Sequence, residues 1–138
     1  YVNKTLKGVD YAPVLFVSAL KRLNVFRVLQ VARDLHRQAQ TRVSTADVNR
    51  AIRAAYALRR PRPVSGKLGK IFYGTQVDVS PPSFVLFVDD PAMFEDAYKR
   101  FVENRFREML PFKDVPLKIN FKARQRSPSK NLLGPKPE

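Results

Sequence analysis

No cysteine occurs in the sequence, which removes disulfides, thiolate metal sites and thiol nucleophiles together and suits a reducing cytoplasm. Histidine occurs once, at His36, and no nucleophile–base arrangement accompanies it, so neither a self-contained active site nor a metal site is expected. No window of about 18 apolar residues is present, which excludes a spanning helix. The opening YVNKTLKGVD has neither an initiator Met nor a charged-then-apolar secretory layout. No targeting signal is read there, and the sequence is expected to be a piece of a longer chain. Acidic residues are scarce, with 12 against 26 basic ones.

What is present follows from that imbalance. The net charge of +14 is uneven: residues 1–40 carry +5, residues 41–70 carry +7, residues 71–110 carry −3 and residues 111–138 carry +5. Solubility alone needs charge of either sign. An excess of Lys and Arg creates a field that attracts phosphate backbones and releases their counterions, so nucleic acid is favoured over an anionic membrane. The hydrophobic fraction of 44% over 138 residues is enough for one domain with its own core, or for a small domain with an appended piece.

Along the chain, Pro13–Val17 is a short all-apolar run that predicts a strand buried on both faces. Leu23, Phe26, Val28, Leu29, Ala32 and Leu35 follow at helical spacing, completing an α/β unit that needs a larger sheet. Ser44 and Thr45 cap the next helix, with Asp47 in its first turn and Val48, Ile52, Ala55 and Tyr56 on its apolar side. Pro61 and Pro63 end it. Residues 70–79 alternate, placing Ile71, Tyr73, Val77 and Val79 on one side and Phe72, Gln76 and Asp78 on the other. Phe84–Val88 predicts a second strand. Asp89, Asp90 and Pro91 start a helix whose stripe is Phe94, Ala97, Tyr98, Phe101, Val102, Phe106 and Met109. Leu117, Ile119 and Phe121 alternate with Lys118, Asn120 and Lys122 as a third strand. The tail, residues 125–138, has no periodicity and is expected to be disordered and basic. From residue 41 the order is helix, strand, strand, helix, strand, an α+β arrangement of a three-stranded sheet with helices on one face.

Two stretches together carry a family resemblance. Asp10–Leu20 (DYAPVLFVSAL) resembles the last strand and fifth guanine-nucleotide loop of a P-loop GTPase. Arg42–Arg50, Lys70–Val77 (KIFYGTQV), Pro81–Val88 and Glu103–Arg105 resemble, in that order, the KH-like closing domain of the Der (EngA) double-GTPase family. The resemblance covers roughly residues 10–124. It implies that residues 1–40 are the end of a GTPase α/β domain, namely its last strand, loop and helix, and that residues 41–124 are the KH-like α-β-β-α-β domain. It further implies a cytoplasmic protein of large-ribosomal-subunit assembly that uses GTP and Mg and whose nucleotide state gates ribosome binding. Its expected partners are the large subunit, its rRNA and the GTPase domains of the same polypeptide, with no membrane. The phosphate loop, the DxxG switch and the NKxD motif are all missing here: Asn3-Lys4 is followed by Leu6 where Asp is needed. The segment alone is therefore expected to be noncatalytic and to hold no cofactor. The alternative is a free-standing basic RNA-binding protein with no GTPase domain.

Candidate site residues fall into three sets. By the resemblance, Ser18, Ala19 and Leu20 are a remnant of the guanine-side loop. Arg59, Arg60, Arg62, Lys67 and Lys70 form the densest basic stretch without an acid, five charges that repel one another unless something anionic relieves them. Lys118 and Lys122, on the outward side of a strand beside Asn120, are a second phosphate-contacting candidate. Gly66-Lys67-Leu68-Gly69 has the GxxG form of a KH clamp but precedes a strand, so a plain loop is the reading. Phe84, Phe87, Phe94, Phe101 and Phe106 are assigned to the core, whereas Phe72 belongs on an exposed sheet face or under a neighbouring domain. Arg105 interrupts an apolar stripe and is expected to reach the rim or pair with Glu108 or Asp78. The acidic stretch 71–110 suits a contact with a basic face elsewhere in the polypeptide, with Asp89 and Asp90 as its probes.

Overall fold

Ser44 begins the folded centre of the chain: its Oγ accepts from the Asp47 backbone N–H at 3.1 Å and donates to Asp47 Oδ2 at 2.7 Å, so one hydroxyl satisfies a free helix-end donor and orients the acid beside it. That bond holds the Asp47 carboxyl below the usual carboxylate range, with Arg50 adding to the effect. In the computed structural model, which describes residues 1–125 with the Asn3 side chain excepted, the elements are α1 (Val2–Thr5), α2 (Val25–Gln40), α3 (Thr45–Leu58), β1 (Ile71–Asp78), β2 (Ser83–Val88), a 3-10 turn (Pro91–Met93), α4 (Asp96–Met109) and β3 (Lys118–Ala123). The expected basic tail lies, from residue 126 onward, outside the described residues.

The sheet has the order β1-β2-β3, antiparallel between β1 and β2 and parallel between β2 and β3. The parallel pair requires a crossover, and α4 supplies it. Period-two alternation turns Phe84, Leu86 and Val88 of β2 to one face, where all three are fully buried. Against them pack Val48, Ala51 and Ile52 of α3 and Tyr98, Val102 and Phe106 of α4, each at helical spacing. Phe84 meets Phe106 and Phe112 edge-on, at ring centroid distances of 5.2 and 5.8 Å, the arrangement that aligns positive ring edges with negative faces. The helices thus cover one face, and the predicted α+β architecture holds.

Gly74 decides how closely α3 can approach. A Cβ there would meet Ile52 Cδ1 at 2.7 Å and also collide with Leu86 Cδ2. Its N–H donates to Asn49 Oδ1 at 3.0 Å, and Asn49 Nδ2 donates onward to the Thr45 carbonyl at 2.8 Å. Two residues later, Gln76 Oε1 accepts from the Val43 N–H at 2.8 Å and its Nε2 donates to the Thr41 carbonyl at 3.0 Å. The α2–α3 junction is pinned to β1 in this way.

Three local expectations are corrected. Residues 13–17 form no strand, and Phe16 and Val17 are exposed. A strand buried on both faces needs neighbours on both edges, and no strand among the described residues pairs with it. The alternation of 70–79 is broken by register shifts between Ile71 and Tyr73 and between Gln76 and Asp78. The first shift lets both Phe72 and Tyr73 stay exposed, as an extra residue in one strand does. The helix expected from Pro91 is divided: Asp90 caps the 3-10 turn through Ala92 N–H at 2.9 Å. Phe94 then takes an extended conformation that sends its ring into the core, and α4 starts at Asp96, leaving Ala97 and Met109 exposed.

Packing also crosses residue 40. Leu35 and Ala39 of α2 lie against the core, and the Gln38 amide pairs with Asp114, donating to Oδ2 at 2.9 Å and accepting from the backbone N–H at 3.0 Å.

Candidate nucleic-acid interface

The basic loop 59–70 is built from ordinary parts. α3 ends at Leu58, where the Arg59 N–H still closes onto the Ala55 carbonyl at 3.0 Å. Pro61 and Pro63 prevent another helical turn. Val64 and Lys67 then bridge across Ser65 (φ 51°) and Gly66 (φ 74°), two successive left-handed residues that form a tight reversal. Gly69 lies against Phe94, whose ring would sit 2.9 Å from an added Cβ, and its carbonyl accepts from the Tyr56 hydroxyl at 3.1 Å.

On this loop the cations are exposed, and two of them, Arg59 and Arg60, lie over aromatic rings. The Arg59 guanidinium lies 5.5 Å from the Phe101 ring centre and that of Arg60 lies 6.0 Å from Tyr56. Arg62 approaches Glu95 at 3.6 Å, with the Arg62 side chain largely in solvent and that of Glu95 partly so, an ion pair worth under about 1 kcal/mol. Among the described residues Lys67 and Lys70 form no ion pair. The structure therefore gathers Arg59, Arg60, Arg62, Lys67 and Lys70 along one loop, with little to neutralise them.

Lys118 and Lys122 are placed elsewhere. On β3 they alternate with Ile119 and Phe121, which face the helices, so with Asn120 they lie on the open face of the sheet, and Lys122 sits in register with Phe87. The seven basic candidates form two groups on different faces.

Ser18, Ala19 and Leu20 occupy a closed turn. Ser18 and Leu23 exchange backbone bonds at 3.1 and 2.9 Å, Ser18 Oγ accepts from the Lys21 N–H at 3.3 Å, and Leu20 is fully exposed. The acidic probes are internally committed. Asp89 Oδ1 accepts from the backbone N–H groups of Lys70 and Asp90, each at 2.9 Å, and Asp90 holds the 3-10 turn. Arg105 pairs with Glu108, one of the two partners anticipated for it. His36 is exposed on α2. Among the described residues no group of three or more His, Cys, Asp or Glu could hold a metal ion, and no helix is long and apolar enough to cross a membrane.

Phe87 corrects its assignment to the core: it lies on the open face, stacked on Tyr73 with ring centres 4.7 Å apart. The alternation of β2 carried that signal, since Phe84 and Phe87 differ by an odd number of positions.

Residues 42–122 match the family described as the KH-domain-like C-terminal domain of EngA bacterial GTPase enzymes. The chain belongs to that family. The matched span begins in the α2–α3 junction and ends in β3, so it contains both basic groups, while Ser18–Leu20 precede it. Similar whole proteins include the GTPase Der of Natranaerobius thermophilus, 38% identical over 125 residues, which is 91% of this chain and 28% of that protein. The GTPase Der of Synechococcus sp. PCC 6301 is 39% identical over 117 residues, 84% of this chain and 26% of that protein. That of Parasynechococcus marenigrum is 42% identical over 118 residues, covering 85% and 26%. The chain thus spans about a quarter of the length of the curated relatives it matches. These alignments run well beyond the KH-like domain itself.

Proposed function

We propose that this chain is the closing part of a ribosome-assembly GTPase, a noncatalytic module that contacts large-subunit rRNA and the GTPase domains of its own polypeptide. The observation that carries the RNA contact is the loop 59–70: five cations on one outward-facing segment, with one weak ion pair among them. Such a surface is stabilised by an anionic backbone that displaces its counterions, and it positions a strand without reading its sequence. Relatives named as GTPases support the reading that GTP and Mg act in the parent protein, on residues outside this chain. In that reading residues 1–40 are the end of the last GTPase domain and residues 41–124 the KH-like domain. The exposed Phe16, Leu20, Phe26 and Leu29 then face the remainder of the GTPase domain, and nucleotide state gates which surfaces meet the ribosome in the cytoplasm.

The test is binding of large-subunit rRNA as a function of salt. Replacing Arg59, Arg60 and Arg62 together by Ala is expected to lower affinity and to flatten the log–log salt slope by up to about 2.5, since each lost phosphate contact removes somewhat less than one unit. An unchanged slope and affinity would take the contact off this loop.

A further inference from the structure

The open face of the sheet carries a set of side chains that neither the core nor the basic loop uses. The shift between Ile71 and Tyr73 leaves two consecutive aromatics exposed, Phe72 at 44% and Tyr73 at 43%. Tyr73 stacks on Phe87, its registered neighbour on β2, with planes 27° apart. Val85 continues the apolar floor between Thr75 and Asn120. Cations border it: Lys118 and Lys122 project from β3 on the same side, and the Arg124 guanidinium lies 5.0 Å from the Phe72 ring centre. The outward positions of the paired strands carry one acid, Asp78, at the end of β1 opposite Ser83 and one strand away from Lys118, while Tyr73, Thr75, Asn120 and Lys122 carry none. Asp89 and Asp90 border Phe72 as well, beside Lys67 and Lys70, and accept bonds from backbone N–H groups.

We propose that this face is a stacking platform for unpaired RNA bases, with Phe72, Tyr73 and Phe87 receiving the bases and Lys118, Lys122 and Arg124 the phosphates. It deepens the RNA reading above and rests on it. Three observations select this occupant. The half-exposed Phe72 and Tyr73 rings, the latter backed by the half-buried Phe87, offer π surface to a base, and cations along one border follow the backbone of a single strand. Paired bases of a duplex are already stacked internally and present no free face to the sheet. A protein partner is the lesser fit, because the centres of protein interfaces are poor in lysine. The helix-side clamp is also absent here: Gly66–Gly69 lies in the turn that leads into β1, not between two helices.

The experiment uses the chain with a ten-nucleotide oligoadenylate and an RNA duplex of equal length, with affinity and salt slope measured for each. The oligoadenylate is expected to bind more tightly than the duplex. Tyr73→Leu and Phe72→Leu should each weaken it by about tenfold, the loss of one stacked base, with the salt slope unchanged. Tyr73→Phe should keep the affinity, because the ring is what stacks. Circular dichroism and thermal melting confirm that the variants fold. If both leucine variants bind like the parent while the triple Arg59/Arg60/Arg62→Ala variant still loses rRNA affinity, the platform is refuted and the basic-loop reading stands. If the chain binds neither RNA, both fall. If the leucine variants bind RNA normally but associate less with separately purified GTPase domains, the face is a protein contact and the platform is overturned.

Discussion

Phe84 and Phe26 are the same residue type in one short chain, yet they differ completely in their surroundings. Phe84 is fully buried between two other rings, whereas Phe26 is 78% exposed on α2. The contrast extends to their neighbourhoods. Between residues 45 and 123 the apolar stripes of two helices meet one sheet face, and each element finds its complement within the segment. Between residues 13 and 29 the pattern is just as apolar, but Phe16, Leu20, Leu23, Phe26 and Leu29 remain in solvent. Hydrophobic periodicity states what an element would bury. It does not state whether the covering surface belongs to the same stretch of sequence.

The largest test of that contrast is a pair of substitutions. Phe84→Ala is expected to cost about 3–5 kcal/mol of unfolding free energy, through lost transfer energy and the cavity left between Phe106 and Phe112. Phe26→Ala should stay within about 0.5 kcal/mol, as surface changes do. Urea denaturation of both variants decides it, and equal losses would mean that residues 13–29 are covered after all. Gly74→Val comes next. Overpacking against Ile52 and Leu86 should cost about 1–3 kcal/mol in the same measurement, and a neutral outcome would show that α3 can move away without loss.

The smallest effect sharpens the core itself. Burial pushes the Tyr98 hydroxyl up to about 12, helped by Tyr56 and opposed by Arg59, and among the described residues the hydroxyl has no hydrogen-bond partner. A folded value above the unfolded one means that the stabilising contribution is complete below pH 10 and is lost as pH rises from 10 toward 12. Tyr98→Phe should therefore be within about 1 kcal/mol of the parent at pH 7. It should lose less stability between pH 9 and 11, which denaturation at the two pH values measures.

Much of the KH-like domain was legible in advance, for a physical reason. The stripes of α3 and α4 and the alternation of β2 and β3 are local patterns, and their burial partners lie within the same span. Ser44 announced the start of α3 by side-chain chemistry that needs no tertiary context, whereas Asp90 marked a short 3-10 turn and not the start of α4. The irregularities of β1 were not legible, because a register shift depends on which residue of β2 stands opposite. The Tyr73–Phe87 stack follows from that register alone. Asp89 and Asp90 illustrate another limit: composition showed their charge but not that backbone donors already occupy their oxygens. For the basic loop the sequence located the cations, and the fold added the rings beneath Arg59 and Arg60. The alternation of β3 already set Lys118 and Lys122 apart from them, and the fold added their place beside Phe87.

The double hydrogen bond between Gln38 and Asp114 has a mechanical consequence. α2 is a helix of 16 residues, about 24 Å long, with its near end unburied and its far end fastened to the loop before β3 and, through Gln40, to Ser80. A helix fastened at one end behaves as a lever, not as a slack linker. A pull on the N-terminal end of α2 would reach the fold through Asp114 and Ser80, the two points where its far end is fastened.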